Sequence, residues 1–386
     1  MIGKANGAVW QERLDHLKDV VSQDVENGKY FGAVVQVARA GKPVFFEAIG
    51  SADAQGAKPL SLNSVFSIFS VTKAFVNVLV LRAIELGRFA LTTKVSEIIP
   101  EFAGPPRERV TFFHLLSHTS GMPGVWSLSP TLLVDRLEDV LQEILKNWHG
   151  VVEPGTRCDY SPMINHVLMA EALRRTDSKG RAFRDILRED LFEPLGMQDT
   201  SIGVRSDLQP RHVVPDMRGT LPIELRGRTK PGPYGMFEEE DAEMPWAGAV
   251  STVGDLGKFT DMLRAGGIRE GVRILSPATI ALARKNWTGQ MPNELYKTVA
   301  LRAGWTPPPA YIGLGFNVRG EGIVNHQLGT LTSPETFGNY GSGSAVFWVD
   351  PALDVTFVGL TAGLLSQAAN IERFQRLSDI AVSAIV

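Results

Sequence analysis

The chain has 386 residues, 44% hydrophobic and 21% charged, which is ample for a packed core and far from a disordered composition. Lys and Arg total 39 and Asp and Glu 42, a formal net charge of -3, which argues against nucleic-acid binding through a basic face. A single cysteine, Cys158, excludes an internal disulfide and any multi-cysteine metal centre, while length alone leaves one large domain or two open.

The N-terminal stretch lacks a basic start, an apolar run and a small-residue cleavage site, so the expectation is a soluble cytoplasmic protein. The most apolar run, 74–84, is interrupted by Asn77 and Arg82 and falls short of the roughly 20 residues of a membrane span. Residues 10–27 place Trp10, Leu14, Leu17, Val21 and Val25 at helical spacing, which predicts a first helix. Residues 33–40 and 43–49 read as strands of a hairpin turning at Gly41-Lys42. From about 71 to 290 the pattern is mainly helical, broken by Gly/Pro loops. Within it, 210–245 carries an acidic run at 238–243 and reads as a solvated loop or as a loop walling a pocket. Residues 311–318, 344–349 and 355–361 read as strands, with a turn at 350–354, and 368–386 as a last helix. Strands at both ends with helices between them predict an α+β fold. Its antiparallel sheet would be built from both termini, flanked by terminal helices, with a mainly helical region inserted. The expected division is a sheet region of 1–75 and 300–386 and a helical region of 76–299.

Segment 70–86 is the exception to plain packing. Apolar side chains occupy almost every direction around it, as in a helix buried on all sides, and Gly87 supplies a stop. Into it the sequence inserts Ser70, Lys73 and Asn77, spaced to share one face. A buried ammonium is costly unless hydrogen-bonded, so a polar counterpart should face it. In one reading, burial lowers the Lys73 pKa until it accepts the Ser70 proton and makes that hydroxyl a nucleophile. The Ser70 N–H, at the helix start, would then face an oxyanion. In the other, Lys73 snorkels to solvent and Ser70 caps the helix.

Ser70-Val71-Thr72-Lys73 matches the Ser-x-x-Lys signature of serine β-lactamases and penicillin-binding proteins. Further stretches occur in the order found in class C β-lactamases and β-lactamase-fold carboxylesterases. They are His114-Leu115-Leu116-Ser117-His118-Thr119-Ser120-Gly121, Glu153-Pro154-Gly155-Thr156, Tyr160-Ser161, Leu191-Phe192-Glu193-Pro194-Leu195-Gly196-Met197 and Ser251-Thr252-Val253-Gly254-Asp255. The chain resembles that branch from about residue 30 to 360. The resemblance implies a single catalytic unit of β-lactamase-like fold, with its site in the cleft between the two regions. It implies Ser70 as nucleophile and Lys73 and Tyr160 as general base, with no cofactor and no metal. The partner is then a small-molecule ester or amide, not a nucleic acid or a membrane.

Two family motifs are altered. Tyr-x-Asn reads Tyr160-Ser161-Pro162, so the tyrosine is kept and Pro162 replaces asparagine; Asn165 is out of register. A Tyr160 phenolate, favoured by the Lys73 charge, would take the serine proton and later activate water. Lys/His-Thr-Gly, on an edge strand before an Asp-Pro turn, reads Asn339-Tyr340-Gly341, followed by Ser342. The resemblance makes Gly341 a point of close substrate approach and the Ser342 N–H the second oxyanion donor. Asn339 is neutral and cannot pair with a substrate carboxylate, and Tyr340 adds a flat apolar surface. The expectation is a neutral carboxylic ester cleaved through an acyl-enzyme. The alternatives are an amide or β-lactam hydrolase, or an acyltransferase to a small-molecule acceptor.

His114 and His118 have the i, i+4 spacing of a metal pair, but residue 115 is Leu, not Glu, and the stretch reads as a helix end. Cys158 reads as a packing residue. Gly313 and Gly315 fall in a predicted strand and read as relaxing its packing.

Overall fold

The computed structural model describes residues 9–129, 132–216, 227–230 and 234–386. Parts of the expected 210–245 loop, at 217–226 and 231–233, and the first eight residues lie outside the described residues.

Period-two alternation decides the main sheet. In β1 (Gly32–Arg39), Ala33, Val35 and Val37 point to one face and Val34 to the other. The first face is covered by α1 (Gln11–Glu26), through Leu14, Leu17 and Val21. The C-terminal helix α5 (Gln367–Ser383) shares that face through Phe374 and Leu377. On the second face Phe347, Val358 and Leu360 meet the larger core around α2 (Thr72–Glu85). The sheet is therefore buried on both faces, and its central strands read as near-continuous apolar runs.

β1 is followed by β2 (Lys42–Gly50). Near the C-terminus come β3 (Asn317–Val318), β4 (Phe337–Gly341), β5 (Ala345–Asp350) and β6 (Val355–Ala362). The spatial order is β2-β1-β6-β5-β4-β3, with every neighbour antiparallel. The two chain ends meet where β1 lies against β6, from Gly32 opposite Ala362 to Arg39 opposite Val355. The α+β fold with a helical insert is the architecture observed. Among the described residues no helix is long and apolar enough to cross a membrane.

Three expectations need correction. The hairpin turns on Ala40 and Gly41, both at positive φ (52° and 75°), because Lys42 is already paired with Arg39. The strand expected at 311–318 shrinks to Asn317–Val318. Upstream the backbone is pulled off the ladder: Tyr311 and Gly315 sit at positive φ, and the Gly313 N–H bonds to the Phe316 carbonyl. The middle of the chain also holds a second sheet, ordered Ser201–Ile202, Ala249–Ser251, Val65–Ser67, His212–Val213. Strands of two or three residues carry no readable period.

Candidate active site

The short strand Val65–Ser67 leads into a single 3-10 turn, Phe69–Val71, and then into α2. Phe69 adopts φ +47°, a conformation that costs a side chain roughly 1–3 kcal/mol and persists only where the surroundings hold it. Phe237 does so, edge-on to the Phe69 ring at 4.9 Å between centroids. This brings Ser70, the next residue, to the cleft surface while Thr72 to Leu81 are all buried. The all-round apolar character of α2 thus has its expected cause.

Lys73 is only 2% exposed. Its Nζ donates to Ser70 Oγ at 3.1 Å and to the Trp246 carbonyl at 2.8 Å, and it stands 5.1 Å from the centre of the Tyr160 ring. It does not snorkel. Burial holds its pKa well below the usual lysine range. Burial and the neighbouring Tyr296 push the Tyr160 hydroxyl up, and its hydrogen bond with Ser70 pulls the other way. A resting phenolate is therefore disfavoured, contrary to the expectation drawn from the Lys73 charge, because burial is the largest influence on Tyr160. Burial thus works against charge on both groups, the Lys73 ammonium and the Tyr160 phenolate.

Tyr160 is itself held in a stack. His118 lies against it at 4.8 Å and 24° between ring planes. The Ser161 N–H donates to His118 Nδ1, which leaves the His118 proton on Nε2. His118 is outside any helix at φ +55°, so it diverges from His114, which instead accepts the Thr111 N–H. No metal-binding cluster occurs among the described residues. Behind His118, His166 donates through Nε2 to Asn77 Oδ1 at 3.0 Å. Burial keeps both histidines neutral: His118 falls to about 3, with Lys73 contributing, and His166 falls well below its ordinary value.

The residues of the altered third motif divide. Tyr340, Gly341 and Ser342 line a cleft of about 260 Å³ together with Ser70, Trp126, Tyr160 and Tyr296. Asn339 lines only a chamber beneath it, about 10 Å³ and the size of one water, with Ser70, Lys73, His118 and Tyr160. Its side chain is fully engaged: Nδ2 donates to the Gly315 carbonyl at 3.1 Å, and Oδ1 accepts from Asn317 Nδ2 at 3.0 Å. Gly341 is required first by the fold, because a Cβ there would stand 2.3 Å from the Ile68 carbonyl oxygen. That close approach sets β4 against the turn that carries Ser70.

Two expected substrate contacts lie elsewhere. Asn77 is 1% exposed and donates to the same Gly315 carbonyl at 2.7 Å, so it braces the wall behind the site. Pro162 is buried at the head of α3 (Ile164–Arg175) and lines neither the cleft nor the chamber. Asn165 bonds to Ser120 and Leu115. Cys158 is buried, with its thiol pushed up to about 12, and is a packing residue. The 234–246 stretch is more than a solvated loop. Glu239 is 6% exposed and accepts the Thr229 and Lys230 N–H groups, and the stretch supplies Phe237 and the Trp246 carbonyl to the site. Sequence reading missed Trp246, Asn317 and Tyr296. The first acts through a backbone carbonyl, which any residue type provides.

Comparison with known proteins gives a consistent result. A family profile described as Beta-lactamase matches residues 17–381. Esterase EstB of Burkholderia gladioli is 32% identical over 302 residues, covering 72% of this chain and 74% of the relative. A penicillin-binding protein homolog from Caulobacter crescentus superposes with a TM-score of 0.77 at 24% identity, over 96% of this chain and 97% of that one. EstCE1, described as a hydrolase with promiscuous acyltransferase activity, superposes with a TM-score of 0.75 at 22% identity, over 97% and 99%.

Proposed function

The chain belongs to the β-lactamase family, and from that premise we propose that this serine hydrolase is a carboxylesterase working through an acyl-enzyme. The observation that carries the reading is the 3.1 Å contact between Ser70 Oγ and a lysine held in a dry interior. The Lys73 amine takes the Ser70 proton as Oγ bonds to the ester carbon. The oxyanion lies between the Ser70 and Ser342 N–H groups. On collapse the C–O bond to the alcohol breaks, Tyr160 gives its proton to the leaving oxygen, and the Lys73 ammonium refills Tyr160. Water then attacks the acyl carbon, its proton passes through Tyr160 to Lys73, and the departing Ser70 oxygen takes it back.

Asn339 supports an ester over a β-lactam or a carboxylate-bearing amide. It is uncharged, and both ends of its side chain are occupied by the protein. The kinship with esterase EstB points the same way. The expected outcome is hydrolysis of p-nitrophenyl acetate and labelling by a fluorophosphonate probe, both lost in Ser70→Ala. Wild-type rates in that variant, or nitrocefin turnover matching ester turnover, would overturn the assignment.

A further inference from the structure

Beyond the cleft lies a second pocket of about 30 Å³, walled on its apolar side by Val299, Trp305, Pro309 and Ile371. It shares Tyr296, Tyr340 and Gln327 with the cleft. Tyr296 belongs to α4 (Glu294–Arg302) and stands edge-on to both Tyr160 and Tyr340, at 6.2 and 5.7 Å between centroids. The inner chamber, the cleft and this pocket thus form a row joined through three tyrosines. Polar side chains line it as well, Asn293, Thr306, Asn325, His326 and Gln327, and of these Asn293 and Gln327 are each 2% exposed. Their carbonyl oxygens, Oδ1 and Oε1, have no hydrogen-bond partner among the described residues. Buried acceptors of this kind are normally satisfied. A pocket walled in part by apolar side chains and bordered by two unfilled acceptors suits a short aliphatic group ending in a hydrogen-bond donor.

We propose that this pocket binds the alcohol half of the substrate, and that it selects a short aliphatic alcohol carrying a second hydroxyl at its far end. The inference rests on the ester-hydrolase reading. There Tyr160 protonates the leaving oxygen, and Tyr296 packs directly on Tyr160, so the space past Tyr296 follows the alcohol and not the acyl chain.

The test compares ethyl, butyl and 4-hydroxybutyl acetate. Two added methylenes buried in the pocket raise kcat/KM about tenfold from ethyl to butyl. The terminal hydroxyl raises it about threefold or more. Gln327→Leu removes the hydroxyl preference. Ala300→Phe, which fills the pocket, collapses the butyl-to-ethyl ratio. Trp305→Ala, which enlarges it, shifts the preference to longer alcohols and gives an independent readout should the filled variant not fold. A flat alcohol series in an enzyme whose Ser70 is labelled by fluorophosphonate overturns this proposal alone. So does an Ala300→Phe effect on the ethyl acetate-to-hexanoate ratio instead of the alcohol ratio. Absence of both labelling and ester hydrolysis removes the ester-hydrolase reading and this inference with it.

Discussion

Lys73 has one property that arginine cannot copy. Burial eases the loss of a proton from an ammonium, whereas a guanidinium stays charged at any working pH. Lys73→Arg keeps the positive charge and removes the base. Its kcat on p-nitrophenyl acetate is expected to fall about 10²–10⁴-fold at every pH from 5 to 9. In the wild type, kcat/KM should rise with pH as Lys73 loses its proton, on a limb placed well below the ordinary lysine range. A Lys73→Arg enzyme with a normal rate would make the charge, not the proton transfer, the useful feature. Asn339 makes the complementary case. Asn339→Ala leaves the Asn317 amide, in a 9% exposed residue, without its acceptor, and is expected to cost about 1–3 kcal/mol in urea unfolding. Unchanged stability would show the amide pair to be incidental. Ser70 and Lys73 were legible in the sequence because a hydroxyl and an amine in an all-apolar helix need a reason, whereas Tyr160 was legible only through its resemblance to a family motif. Asn77 and Asn339 were not, because their partner is a backbone carbonyl at Gly315, far from both in sequence.

Among elements, the contact between β4 and the turn that carries Ser70 is the most demanding. Gly341 meets the Ile68 carbonyl where a methyl group would overlap it, and neither backbone segment has room to yield. β4 is pinned to β5 from Phe337 opposite Val349 to Gly341 opposite Ala345, and Phe69 is pinned by Phe237. Gly341→Ala is therefore expected to push the strand end and Ser342 away from Ser70. A loss of at least about tenfold in kcat is expected, with a smaller change in KM, because an oxyanion donor acts mainly in the transition state. A wild-type kcat would mean that the strand edge can shift freely. Elements that alternate over many residues were readable: β1, β2, β5 and β6 and the terminal helices fall within a few residues of their expected bounds. The segment at 311–316 was not. Its apolar residues fill a pattern suited to a strand, but Gly313 and Gly315 let it approach the Ala283 carbonyl and Asn77 instead of the sheet.

For the molecule as a whole, acid stability follows from buried imidazoles. Of seven histidines, His118 is held at about 3, His212 and His326 at about 4, and His166 well below its ordinary value, in each case first by burial. Lys73, Lys58 and Arg319 add to this at His118, His212 and His326. In the unfolded chain all four take up protons as pH falls through about 6.5. Between that pH and about 3–4 the unfolded state therefore binds more protons than the folded one, so stability is complete above 6.5 and is lost steadily below it. Each such group contributes a slope of about 1.4 kcal/mol per pH unit. Asp177, held down to about 2 chiefly by Arg181, acts with the same sign at lower pH. The four histidines are spread through the molecule. His118 and His166 lie behind Tyr160 and Lys73, His212 bonds to Ser67 in the small sheet, and His326 accepts the Leu328 N–H beneath α5. Protonation in one place cannot be relieved by local opening alone, so unfolding on acidification is expected to be global. Thermal melts from pH 7 to pH 4 should show Tm falling by at least several degrees, with far-UV signal and ester hydrolysis lost together. A Tm that stays level across that range would mean that these rings reach solvent in the folded protein, and the dry interior behind Ser70, on which a neutral Lys73 depends, would fall with it.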